Sequence, residues 1–174
     1  MQLKNFVIFS FLIVAFLLFN CKKGYVPNLA ERGFPTVVES VELGPGQADT
    51  LRMDPFMVAI PPGAFSDSVR FEILSGKPDN FKPKAPTGEL PILAFAFRIT
   101  DLKTGKYIME LAQPMPLTVT DGTITDQSKF YQISKQGDYS IISTGVEIIP
   151  GQLRYSVTSV KDGWVIAVGP AAAD

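Results

Sequence analysis

The chain has 174 residues, of which 46% are hydrophobic and 19% charged, and its formal net charge is −1. This composition is typical of a folded globular protein, and without a basic surplus it argues against a nucleic-acid partner. The chain contains no histidine and a single cysteine, which excludes an imidazole general base, a disulfide within the chain and a thiolate metal cluster.

The amino-terminal residues predict an export signal. Lys4 precedes an apolar run from Phe6 to Phe19, which only Ser10 interrupts. A run of about fourteen residues suits a signal peptide, whereas a helix that spans the bilayer needs about twenty. We therefore predict a signal peptide over residues 1–20.

The residues that end this run, Leu18-Phe19-Asn20-Cys21, resemble a lipobox, the bacterial signal at which a cysteine receives diacylglycerol and the chain is cleaved before it. Leu18 and Cys21 match the motif, whereas Phe19 and Asn20 are larger than the small residues usual between them. The resemblance implies a lipoprotein of the bacterial cell envelope, with fatty acids such as palmitate attached through Cys21. Because two or more acyl chains anchor a protein stably, no transmembrane helix is needed.

The residue after the cysteine also bears on location. Lys22 provides no acidic retention signal, which favours the outer membrane or cell surface over the inner membrane. The alternative is an uncleaved signal anchor.

The next segment, residues 21–35, is polar with glycine and proline and predicts a tether. Beyond it, apolar and polar residues alternate repeatedly, as in Val69-Arg70-Phe71-Glu72-Ile73 and in residues 93–99. Turn residues separate these runs, for example Pro61-Pro62-Gly63 and Asp162-Gly163. We predict one all-β domain over residues 36–170, an antiparallel β-sandwich of the immunoglobulin-like type with nine or ten strands.

Residues 77–91 form the longest stretch without periodicity and contain four prolines. Long ordered loops often carry function. The alternative is a proline-stiffened crossover from one sheet to the other.

Residues 59–65, Ala-Ile-Pro-Pro-Gly-Ala-Phe, lead into the strand predicted from Val69 to Leu74 and resemble part of the ZU5 domain, a β-sandwich of ankyrins and surface receptors. Residues 111–119 are similar to a later strand of that family. The resemblance covers residues 36–120 and implies a fold and an interaction role. Self-cleavage at a histidine, known in some relatives, is not carried over because this chain has no histidine.

The sequence offers little that predicts catalysis. It has no Gly-x-Ser-x-Gly elbow and no Ser-x-x-Lys motif. Four aspartates lie near turn residues, where a carboxylate usually bends the backbone; these are Asp101, Asp121, Asp126 and Asp162. Residues 121–126 could instead supply oxygen ligands to calcium, but without EF-hand spacing. We expect no enzyme activity, no metal and no cofactor.

Two hypotheses for function follow. The first is a non-catalytic interaction or structural module that is anchored in the membrane through lipidated Cys21 and binds another envelope protein. The second is a carbohydrate-binding surface lipoprotein. Exposed aromatic rings can stack on sugars, and the candidates are Tyr107, Tyr131 and Tyr139. The glycan hypothesis requires these three rings to share an exposed face.

Overall fold

The computed structural model describes residues 28–169, which form eleven strands and one short 3₁₀ helix, Pro78–Lys84. The strands are β1 Thr36–Leu43, β2 Asp49–Met53, β3 Phe56–Ile60, β4 Val69–Gly76, β5 Leu90–Asp101, β6 Glu110–Thr120, β7 Ser128–Ile133, β8 Tyr139–Ile141, β9 Val146–Ile149, β10 Gln152–Ser159 and β11 Gly163–Val168. The predicted signal peptide, Cys21 and Pro170 lie outside the described residues.

The strands form two sheets, and every strand pairing is antiparallel. One sheet has the order β1-β4-β5-β11-β7-β8, and the other has the order β2-β3-β6-β10-β9. The prediction of an all-β sandwich is confirmed. Its strand number was slightly low, because a strand as short as the three-residue β8 leaves little alternation in the sequence.

The main core lies between the two sheets and is rich in aromatic side chains. Phe95 is central: its ring centroid lies 4.8 Å from that of Phe56, 5.6 Å from Trp164 and 5.9 Å from Phe97. All four side chains are buried. Burial of several large rings supplies most of the hydrophobic stabilisation that a domain without disulfides needs. The alternation in β4 and β5 correctly predicted which residues face this core.

A second apolar cluster covers the outer face of the six-stranded sheet. Small side chains of β5 and β11, including Ala94, Ala96 and Ala167, leave room there for Leu29 and Phe34, which are 2% and 0% exposed. The prediction of a tether over residues 21–35 is therefore wrong for residues 28–35, which pack on the domain. The sequence did not reveal this packing, because Leu29 and Phe34 are separated by four residues and form no periodic pattern.

The segment at 77–91 completes this outer layer. The 3₁₀ helix lies in it, and Phe81 of that helix is buried 5.0 Å from the ring centroid of Phe34. β4 and β5, which the segment joins, are neighbours in one sheet. The predicted crossover between sheets is therefore wrong; the prolines stiffen a connection that folds over the outer face instead.

Candidate functional site

The outer layer contains a cleft of about 550 Å³, which we call the amino-terminal cleft. Its walls come from three segments that the fold brings together: residues 30–33, part of the 3₁₀ helix, and the turn between β7 and β8. The lining residues are Ala30, Glu31, Arg32, Gly33, Asn80, Phe81, Pro83, Lys84, Lys135, Gln136, Gly137 and Tyr139. A cleft of this volume suits a small molecule.

The first wall is a tight turn fixed at both ends by buried side chains, Leu29 and Phe34. The Phe34 backbone N–H donates to the carbonyl of Leu29 over 2.9 Å. Gly33 has a φ of +97°, and a Cβ there would lie 2.8 Å from the Phe81 ring. Glycine is needed at this position both for its backbone conformation and for the close approach to the ring.

Arg32 lines the cleft, and its side chain is only 5% exposed. Its guanidinium donates to the carbonyls of Lys161 and Ile133 over 2.8 and 2.9 Å, and it lies 2.5 Å from the carboxylate of Asp162. The Nε donor of Arg32 is buried and has no hydrogen-bond partner within residues 28–169. These contacts fix the Arg32 side chain against β7 and the loop before β11.

The lining of the cleft carries charged side chains of both signs. Lys84 Nζ donates to the carbonyl of Gln136, which links the 3₁₀ helix to the β7–β8 turn, and lies 3.9 Å from Asp138. Both side chains are more than half exposed, so their mutual attraction is weak. Lys135 and Glu31 also border the cleft. The site therefore presents charges of both signs at separate positions.

Two of the predicted tyrosines, Tyr131 and Tyr139, pack on each other with their ring centroids 5.3 Å apart. Tyr131 is 5% exposed and donates its hydroxyl to Glu89 over 2.6 Å. Tyr139 is half-buried, donates to the carbonyl of Phe81 over 2.8 Å and borders the cleft. Burial, together with the hydrogen bond to Glu89, raises the pKa of Tyr131 far above its usual range, and burial raises the pKa of Tyr139 to about 12.

The third predicted tyrosine, Tyr107, lies elsewhere. It pairs with Thr100 beside β5 and borders a different cleft, of about 480 Å³, together with Arg98. The structure therefore brings Tyr131 and Tyr139 together and leaves Tyr107 apart. Since Tyr131 is also buried, the three rings do not share the exposed face that the glycan hypothesis requires.

The turn role predicted for the aspartates holds for Asp101 and Asp121, whereas the carboxylate of Asp162 binds side chains of distant segments. Asp101 accepts hydrogen bonds from the backbone of Lys103 and Thr104, each over 2.8 Å. Asp121 accepts both the backbone N–H and the hydroxyl of Thr123, and these bonds lower the pKa of Asp121. Asp162 binds Arg32 as described above, whereas Asp126 is exposed. Within residues 28–169, no three acidic or cysteine side chains cluster as metal ligands would.

Sequence patterns did not identify the residues that define the amino-terminal cleft. Arg32 stood in a segment predicted as a tether, and Lys84 and Lys135 stood in loops where isolated lysines are common. Only the approach of three loops distant in sequence brings these charges together. Across residues 28–169, the longest helix is the 3₁₀ segment, and none is long and apolar enough to cross a membrane.

Comparison with known proteins adds one partial match. No family model matches the chain. Over 70 residues it is 33% identical to the methylenetetrahydrofolate–tRNA-(uracil-5-)-methyltransferase TrmFO of Pseudothermotoga lettingae. The match covers 40% of this chain, which spans only 15% of that protein's length. A similarity of this extent assigns no family, and the lipobox and ZU5 resemblances stay predictions.

Proposed function

We propose that this protein is a membrane-anchored lipoprotein of the bacterial cell envelope, where it acts as a non-catalytic interaction or structural module. The observation that carries the proposal is the position of Cys21. It is the single cysteine of the chain and stands two residues after the end of an apolar run of signal-peptide length. Acylation at this position would hold the domain on the membrane surface.

The start of the described domain supports a close attachment. Asn28 follows Cys21 by seven residues, which can span at most about 25 Å when fully extended. Leu29, Arg32 and Phe34 then fix the chain to the outer face of the six-stranded sheet. A domain anchored at Cys21 would therefore stand near the lipid head groups, with the amino-terminal cleft on the side of the attachment.

The apolar side chains that remain exposed favour a protein partner. Ile141 in β8 is 59% exposed and Ile149 in β9 is 42% exposed. β8 and β9 are edge strands of the two sheets and are joined by a short loop, so both isoleucines lie on one side of the sandwich. Edge strands with exposed apolar residues are suited to pairing or packing with another chain.

The glycan hypothesis has less support. Tyr131 and Tyr139 use their hydroxyls within the domain, and of the three candidate tyrosines only Tyr139 borders the amino-terminal cleft. A half-buried ring whose edge packs on another tyrosine offers a small surface for stacking. We therefore keep carbohydrate binding as the alternative function.

Metabolic labelling tests the lipoprotein proposal directly. Bacteria that express the full chain are grown with an alkyne analogue of palmitate, and label and membrane fractionation are followed for wild type and Cys21→Ala. We expect wild type to be labelled and sedimented with membranes, whereas Cys21→Ala takes up no label. Asn20→Ala, which restores a small residue before the cysteine, should keep the label. A labelled Cys21→Ala protein, or an unlabelled wild type, would contradict the proposal.

A further inference from the structure

The amino-terminal cleft has separated charges of both signs around a small volume. Arg32, Lys84, Lys135 and Glu31 line the cleft, and Asp138 stands 3.9 Å from Lys84 Nζ. A purely anionic ligand would meet these carboxylates as well as the lysines. A ligand with both an anionic and a cationic group matches the arrangement better.

We propose that the amino-terminal cleft binds a small zwitterionic phosphate ester that carries an ammonium group, the chemistry of a phosphoethanolamine head group. Its phosphate would face Lys84 and Lys135, because lysine ammonium groups are good point-charge partners for phosphate. Its ammonium group would face Glu31 or Asp138.

One feature prepares the site for such a ligand. The hydrogen bond from Lys84 to the carbonyl of Gln136 holds the ammonium group beside the cleft, which reduces the entropy lost on binding. Arg32 also lines the cleft, but its guanidinium binds Lys161, Ile133 and Asp162, so the two lysines are the cations that would meet the phosphate.

The ligand could come from the membrane or from solution. Anchoring at Cys21 would hold Asn28, two residues before the cleft-lining Ala30, within about 25 Å of the lipidated cysteine. Only this membrane source rests on the proposed function; binding of a soluble ester does not. The two sources share one chemistry and can be separated by experiment.

The first experiment measures binding of O-phosphoethanolamine to the full chain in neutral detergent by isothermal titration calorimetry. We expect it to bind about tenfold or more tightly than glycerol 3-phosphate or ethanolamine, each of which offers one of the two charges. Lys84→Ala should weaken binding about tenfold. Lys82→Ala is the matched control, because Lys82 is in the same 3₁₀ helix but pairs with Asp79 and does not line the cleft.

Neither substitution should unfold the domain, because the side chains of Lys82 and Lys84 are 49% and 57% exposed. A difference in affinity between the two variants therefore reports on the cleft. Absence of binding to wild type would overturn the proposal. So would equal losses in Lys82→Ala and Lys84→Ala, or equal affinity for glycerol 3-phosphate, which would show that the ammonium group plays no part.

A second measurement separates the sources. The full chain is reconstituted in phosphatidylcholine vesicles with and without phosphatidylethanolamine, and its apparent affinity for soluble O-phosphoethanolamine is compared. A weaker apparent affinity when phosphatidylethanolamine is present supports a membrane head group as the ligand, because the lipid competes. An unchanged affinity supports a soluble ester. Palmitate labelling at Cys21 is read separately, so failure of the cleft and failure of the anchor can be told apart.

Discussion

Arg32 Nη2 lies 2.5 Å from Asp162 Oδ1, a contact between residues 130 positions apart in the chain. It joins the turn at residues 29–33 to the loop before β11, and Gln132 of β7 donates to the other oxygen of the same carboxylate over 2.7 Å. The Arg32 side chain is 5% exposed, so its charge depends on this partner. The contact holds the amino-terminal segment on the outer face of the six-stranded sheet.

Asp162→Ala should therefore destabilise the domain. The change leaves the buried guanidinium of Arg32 without its counter-ion, and removal of one partner of a buried pair costs about 3–5 kcal/mol. We expect a loss of about 3 kcal/mol in the free energy of unfolding, measured by urea denaturation. Glu147→Ala is the control, because Glu147 and Arg154 form an exposed pair that is worth at most about 1 kcal/mol. Equal effects of the two substitutions would contradict the buried role of Arg32.

Packing of residues 28–35 on the sheet leads to a second prediction. Leu29 is 2% exposed, so Leu29→Ala should cost about 2–4 kcal/mol by lost burial and a residual cavity. Leu102→Ala is the matched control, because it is the same substitution at a side chain that is 38% exposed. Leu102→Ala should change the free energy of unfolding by less than about 1 kcal/mol. If Leu29→Ala were as mild as Leu102→Ala, residues 28–35 would behave as the tether that the sequence predicted.

The sequence predicted the sandwich well because its strands are amphipathic. In β4, Phe71 and Ile73 alternate with Arg70 and Glu72, and this alternation correctly predicts a strand that turns Phe71 and Ile73 to the main core. The same logic failed for the outer face. β7 and β11 are buried on both sides, so Tyr131 faces the second cluster while Phe130 faces the main core. β11 does carry the local pattern of a strand with two buried faces, because residues 164–168 are all apolar, whereas Lys129 and Gln132 interrupt such a run in β7.

The candidate site was predictable only in part. Tyr139 was chosen as an aromatic residue near a turn, and it does border the cleft. Arg32 and Lys84 were not chosen, because their roles depend on contacts with Asp162 and Gln136 that are far away in the sequence. Charged residues that meet because loops pack together have no characteristic spacing in the sequence. Charged residues on one strand or helix do, because the period of the element sets which of them share a face.

The alkaline stability of the domain should depend on Tyr139. Burial, and secondarily the charge of Glu89, raises the pKa of Tyr139 from 10.0 to about 12. The folded state thus favours the neutral phenol, and this contribution to stability is complete below pH 10 and is lost as the pH rises from 10 to about 12. In Tyr139→Phe, the free energy of unfolding should fall less steeply across that window. Urea denaturation at several pH values measures both slopes, and identical slopes would contradict the buried environment of this hydroxyl.

Gly163, the first residue of β11, should tolerate no larger side chain. A Cβ at this position would overlap the ring of Phe34, which is 0% exposed and cannot move aside. Overpacking of this kind costs about 1–3 kcal/mol, so Gly163→Ala should lower the free energy of unfolding by that amount. Gly122→Ala is the matched control, because nothing lies within 4 Å of a Cβ built there.

A double substitution shows whether the clash itself is responsible for the loss at Gly163. Phe34→Ala alone should cost about 3–5 kcal/mol, because a buried ring is removed. If the alanine at 163 occupies part of the space that the ring leaves, the cost of Gly163→Ala should nearly vanish in the Phe34→Ala background. If the double variant instead loses the sum of the two single-variant losses in the free energy of unfolding, the cost of Gly163→Ala arises in the backbone of β11. Contact with the Phe34 ring would then not explain why residue 163 is a glycine.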